Sequence, residues 1–361
     1  MRRSSMPARI ITALFAVVVA PIGAGLLSAG GRAWYYTFTE FGGFDTSRLL
    51  GPVLLQVVGI LLLLAVVATG FWSSAGLLTV GILALASLVF AIFPSLLLSM
   101  YQAPLPQEWV DGIVYGIPLA LFLAFGAMGL VLLLARRSPA RPRMAMNIVG
   151  LVAAPVLLTV GIGLLAFGIS RGMLVALQQY RFDVSFDAIA AVLSGAVLVV
   201  AGVMTTRWSP FALLLPAVVL LVLTPLSLSP GSGFQDVLFT LSREMSRSVP
   251  PLLVMGAGVA AALAYALFTA VLLRARAQNR ILPGTYVAPL GADGYPLNYP
   301  APGPAAAPQP YAPGQPYPPA PPYQQGQPHD PGHPYQPYQQ GQSHQPGQPY
   351  PPAQGHPPTQ V

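Results

Sequence analysis

Cysteine and lysine are both absent from this 361-residue chain, and only 7% of its residues are charged. Without a thiol there is no disulfide framework and no thiolate metal site. All four histidines, His329, His333, His344 and His356, fall near the C-terminus. They are scattered and lack clustered partners, so no metal site is expected. The remaining residues have no imidazole chemistry at all. No nucleotide-binding or catalytic motif stands out, so no cofactor and no catalytic residue is assigned.

What remains is apolar. Hydrophobic residues make up 54% of the chain and gather in long runs. About 20 residues at 1.5 Å rise span the hydrocarbon of a bilayer, so such runs read as membrane helices. Eight are expected, at about Ile10–Gly30, Leu49–Phe71, Ala75–Met100, Gly112–Ala135, Met144–Gly168, Ala188–Thr206, Pro210–Leu228 and Pro251–Leu273. The first is longer than the apolar core of a signal peptide, about 7–15 residues, and is read as retained. The lipid bilayer is thus the first partner.

The formal charge of +7 does not point to nucleic acid, because the arginines sit at helix ends. Eleven of them fall in segments that share a side with the N-terminus and six in the alternate loops. Cytoplasmic loops carry the excess of basic residues, so both termini are expected in the cytoplasm of a plasma-membrane protein. The eight acids before the tail, from Glu40 to Glu244, all fall in the outer loops. Trp34 and Trp109 are placed at the outer boundary and Trp72 and Trp208 at the inner one, as an aromatic belt requires.

The chain also repeats itself. G-x-G-L-L-x-x-G occurs at Gly23–Gly30 and Gly161–Gly168, and F-D-x-S at Phe44–Ser47 and Phe182–Ser185. Trp72-Ser73 with Pro94 matches Trp208-Ser209 with Pro230, and Val131–Arg136 matches Val271–Arg276. Four matches in one order, at an offset between about 136 and 140, indicate duplication. The expected fold is therefore an all-α, polytopic helix bundle. It has two tandem four-helix repeats, residues 1–137 and 144–280, joined by a basic hinge at 138–143. Four spans per unit is even, so both copies enter the membrane the same way, in parallel orientation. The glycines of the shared motif read as sites of close helix packing; a phosphate loop needs a strand and an aqueous turn.

Few residues offer a site. Asp45 and Ser47, with Asp183 and Ser185, are paired polar positions in the outer loops, readable as a polar entrance or as caps of the following helices. The other outer-loop charges (Glu40, Arg32 and Arg48, then Arg171, Arg181 and Asp187, then Arg243, Glu244 and Arg247) read first as a solvated face. Inside the spans no ionisable group other than tyrosine is expected, and Gln56 is the most polar side chain there. It reads as an interhelical hydrogen bond before a ligand contact. Ion-coupled carriers and intramembrane hydrolases keep charges at depth, so the body is expected to be non-enzymatic.

Residues 281–361 turn to Pro, Gln, Gly, Tyr and Ala, with GQPYPPA and YQQGQ each occurring twice. So few aliphatic residues cannot offset ordering entropy, and a disordered cytoplasmic tail of polyproline-II character is expected. Tyr317, Tyr323, Tyr335, Tyr338 and Tyr350 are its candidate contact points for a cytoplasmic protein partner. Two functions follow. One is a membrane anchor or scaffold presenting the tail, and the other a passive or lipid-handling transporter or export component working between the repeats. Homo-oligomers are compatible with either.

Overall fold

The computed structural model describes residues 6–41, 46–137, 144–180, 182–183, 185–228 and 233–281, of which 37–41, 46–48, 235 and 278–281 are described by backbone alone. The hinge at 138–143 and the tail from 282 onward lie outside the described residues. Among the described residues all regular structure is helical. Apolar helices satisfy their backbone groups internally, which is what a hydrocarbon solvent demands.

The chain opens with α1 (Met6–Phe41), α2 (Thr46–Ala68) and α3 (Ala75–Ile92). Two short helices, α4 (Ser95–Gln102) and α5 (Gln107–Val114), then lead into α6 (Ile117–Arg137). The second half runs through α7 (Met144–Ile169), α8 (Val175–Gln179), α9 (Phe186–Met204) and α10 (Leu214–Leu228). It closes with α11 (Phe234–Leu241), α12 (Arg243–Leu252) and α13 (Gly258–Ile281).

Seven stretches are long and apolar enough to cross a membrane: Met6–Tyr36, Leu49–Phe71, Ala75–Ile92, Ile117–Arg137, Met144–Gln179, Phe186–Arg207 and Arg243–Ala277. The seventh expected span, Pro210–Leu228, coincides with α10, which at 15 residues is shorter than these seven. At 1.5 Å per residue it reaches about 22 Å against a hydrocarbon core of about 30 Å.

Other boundaries move for local reasons. Pro94 disfavours helical backbone at Phe93, so the third expected span stops at Ile92 and resumes as α4. The fourth begins only at Ile117, because Gly116 adopts φ +76°. The fifth continues beyond Gly168 through a π-turn at Ser170–Leu174 to α8, which ends at left-handed Tyr180. The eighth starts earlier, at Arg243, and kinks at Gly256, where φ is +93°.

α6 and α13 are the most enclosed helices and pack against each other at the centre. Around them α1 lies along α2 and α3 along α6, while α7 lies along α9 and α10 along α13. The halves are stitched by α6 on α9 and α13 on α2. The outward faces are apolar, with Leu61, Ile82, Val156, Val197 and Val218 exposed. An exposed apolar surface of this extent marks a membrane-facing body.

Two backbone approaches set the tightest packing. A methyl at Gly59 would lie 2.7 Å from the Gly23 carbonyl oxygen, and one at Gly195 would lie 2.8 Å from that of Gly161. Glycine at these places lets α1 meet α2, and α7 meet α9, backbone to backbone.

Both halves finish alike at one end of the bundle. α2 and α9 each tighten into a 3-10 turn, at Thr69–Phe71 and Thr205–Arg207. Helix C-termini leave carbonyls without intrahelical partners. Arg136 donates to the Gly70 carbonyl at 2.6 Å, and Arg276 donates to those of Thr206 at 2.7 Å and Arg207 at 2.9 Å. The Arg274 guanidinium stands 5.4 Å from the centre of the Phe71 ring, so both sets of arginines lie at the same end.

Candidate functional site

The opposite end carries the acids. On the first half Asp111 of α5 pairs with Arg32 of α1 and accepts a 2.7 Å hydrogen bond from the Tyr101 hydroxyl of α4. Arg32 also lies over the Tyr36 ring, 5.3 Å from its centre. The Arg32 and Asp111 side chains are 23% and 15% exposed, so this is an enclosed cluster rather than the solvated face expected of outer-loop charges. Burial, and then the bond to Asp111, raises the Tyr101 hydroxyl well above the ordinary tyrosine range.

On the second half the cluster is more open. Arg171 meets Asp187 at 3.1 Å and Glu244 at 3.8 Å, with Arg171 and Asp187 each about half exposed. Ser185 occupies the N-cap position of α9, yet its hydroxyl donates to the Asp187 carboxylate instead of capping the helix. Asp183 is exposed and makes no hydrogen bond or ion pair among the described residues. Asp45, like Tyr317, Tyr323, Tyr335, Tyr338 and Tyr350, lies outside the described residues, and Ser47 is described only as backbone in the first turn of α2.

The fourth long helix of each half is interrupted at a left-handed glycine. Gly116 separates α5 from α6, and Gly256 sits in the π-turn Leu253–Ala257 between α12 and α13. Left-handed backbone carries no Cβ penalty at glycine, so the chain can bend there without strain. A break inside apolar surroundings frees carbonyls, and Gln56 meets one of them, its side-chain amide donating to the Val254 carbonyl at 3.2 Å. Gln56 thus braces α2 against the break before α13.

Beside this second break lies a cavity of about 430 Å³. Its walls come from α6, α7, α10, α12 and α13, with Phe234, Leu238 and Leu241 of α11 at one end. Every lining residue is apolar or glycine except Thr159 and Tyr265. Tyr265 is 3% exposed, and among the described residues its hydroxyl has no hydrogen-bond partner. Gln56 does not line the cavity, so the polar candidate and the void are separate features.

The cavity exists because α7 and α10 splay apart where α1 and α3 stay packed together. The lining residues Val160 of α7 and Val219 of α10 are 49% and 41% exposed, so this gap opens sideways onto the apolar flank. A much smaller apolar cavity, about 150 Å³, stays dry and takes up hydrocarbon. About 430 Å³ falls within the usual range of ligand sites. The walls therefore suit a hydrocarbon chain entering from the side, and they supply no charged group for chemistry.

Sequence reasoning did not find this void. The partly buried Trp109 rests its indole on Gly25 of α1, where an added methyl would overlap the ring. Among the described residues no three His, Cys, Asp or Glu side chains group as a metal site. No family model matches this chain, and no curated protein or solved structure is significantly similar to it.

Proposed function

We propose that this is a lipid-handling protein of the plasma membrane that holds a hydrocarbon chain in the cavity between α6 and the second half. The cavity carries the proposal: it is closed to charge, open sideways between α7 and α10, and adjoins an interrupted helix. Interrupted helices at corresponding positions of two halves are where membrane carriers place their binding sites. The activity is non-catalytic, a binding and passage role for a membrane constituent.

The body is read as two parallel four-helix repeats with eight crossings, α10 and the turn before it forming the seventh. Several observations support duplication. The glycine approaches, the arginine-capped 3-10 turns and the left-handed glycines all recur in the same order. The excess of arginine at the hinge end favours cytoplasmic termini, with the tail of 281–361 in the cytoplasm and available to a protein partner. A reporter fused after Arg143 is expected to read cytoplasm and one inserted at Gly42 the outside. The reverse pattern would invert every loop.

The lipid reading is tested by native mass spectrometry of the full chain released from phosphatidylcholine nanodiscs. The wild type should retain one lipid molecule through activation, and Val249→Trp, which places an indole in the cavity, should retain none. If the wild type carries no lipid and the variant behaves identically, the void is only a packing gap. The anchor reading, with the tail as the working part, then takes its place.

A further inference from the structure

The two halves treat one position differently. In the second half Gly163 of α7 and Val249 of α12 both line the cavity, and a methyl on Gly163 would meet only the tip of Met245, at 3.4 Å. The shared glycine motif pairs Gly163 with Gly25, and the matched Arg136 and Arg276 pair Val249 with Trp109. In the first half those two residues are in contact, the indole filling the space over Gly25. The ring thus occupies the place that is void in the second half.

The helix bearing that indole is tied down just C-terminal to Trp109. Gly112, three residues beyond Trp109, lies so close to Ser28 of α1 that an added methyl would overlap the serine hydroxyl. Asp111 ties α5 to Arg32 of α1 and to Tyr101 of α4. Outside these ties the segment has means to move: α5 starts after Pro106 and ends two residues before left-handed Gly116. Trp109 is therefore a side chain seated on a glycine, carried by an eight-residue helix and held by one polar cluster.

We propose that the first half contains a second hydrocarbon site of the same class, occupied by the Trp109 indole and held shut by the Arg32–Asp111–Tyr101 cluster. The proposal rests on the lipid reading and on the duplication. Its ligand is the same chemistry, one alkyl chain of a membrane lipid. The halves are then an open and a self-occupied copy of one site, and removal of the indole converts the second kind into the first.

Lipid counting by native mass spectrometry of the full chain from phosphatidylcholine nanodiscs decides it. Trp109→Val, which installs the residue found at position 249, should raise the count from one lipid per chain to two. Trp109→Val combined with Val249→Trp should return it to one, because the vacated and the filled sites exchange. Trp109→Leu repeats the measurement with a bulkier replacement, and thermal unfolding of each variant identifies the folded ones. A wild type that retains one lipid beside folded Trp109 variants that also retain one overturns this inference and leaves the lipid reading standing. A double variant that retains none overturns it as well. A wild type that retains none removes the lipid reading itself.

Discussion

Leucine in place of Gly59 should leave the first half unable to assemble, and leucine at Gly195 should do the same to the second. The first β-carbon alone would lie 2.7 Å from both the Gly23 oxygen and the Leu27 nitrogen. At Gly195 the corresponding distances are 2.8 Å to the Gly161 oxygen and 2.7 Å to the Leu165 nitrogen. The obstacles are backbone atoms of a neighbouring helix, so no rotamer change relieves them and the helices must separate. Losses above about 4 kcal/mol belong to this kind of core disruption. Gly51 is the control, since it lies on the same helix as Gly59 with nothing within 4 Å of an added β-carbon. Gly51→Leu should lower stability by no more than about 0.5 kcal/mol. Thermal unfolding in detergent, with the yield of monodisperse protein, distinguishes the three. Gly59→Leu behaving like Gly51→Leu would mean that α1 and α2 are not in backbone contact.

The linear pattern gave access to one side of these contacts only. Gly23, Gly25 and Gly30 stand out because they recur as Gly161, Gly163 and Gly168 in a recognisable motif. Their partners Gly59 and Gly195 sit singly in apolar runs, and nothing local marks them as the surface that receives the motif. Hydropathy located the long helices well because hydrocarbon solvation acts on every residue of a span. It placed the breaks poorly: Gly116 and Gly256 lie in stretches as apolar as an unbroken helix, and hydropathy does not read φ. α10 came out short for a related reason, since its expected span counted the turn residues 210–213 as helix.

The cavity was illegible for a different reason. It arises from the splay of α7 and α10, a property of two helices that no single segment encodes. A signal was nevertheless present at the positions where the repeats disagree. A duplicated sequence is informative where it matches, since matches report the shared fold. Where a large side chain such as Trp109 faces a small one such as Val249, the volume must be taken up or left empty. The Arg32–Asp111 pair was missed because both residues fall beyond the apolar runs, and α1 extends to Phe41 before α5 returns Asp111 against it.

Alanine at Gly25 and alanine at Gly163 should move stability in opposite directions although the two glycines share a motif. In a helix interior alanine is favoured over glycine by about 0.5–1 kcal/mol. At Gly163 nothing opposes that gain, because the nearest atom is the flexible end of Met245 at 3.4 Å. At Gly25 the methyl would overlap the indole of Trp109, whose helix is tied by Asp111 to Arg32 and Tyr101. Overpacking of this kind costs about 1–3 kcal/mol, which outweighs the propensity gain. Gly163→Ala should therefore melt at or slightly above the wild type and Gly25→Ala clearly below it. In a Trp109→Val background, which carries its own cavity cost, Gly25→Ala should cost little further stability, since the obstacle is then gone. A Gly25→Ala protein as stable as Gly163→Ala, with the same effect of Gly25→Ala in both backgrounds, would show that the indole does not rest on α1. The difference between the two halves would then lie elsewhere than in this one ring.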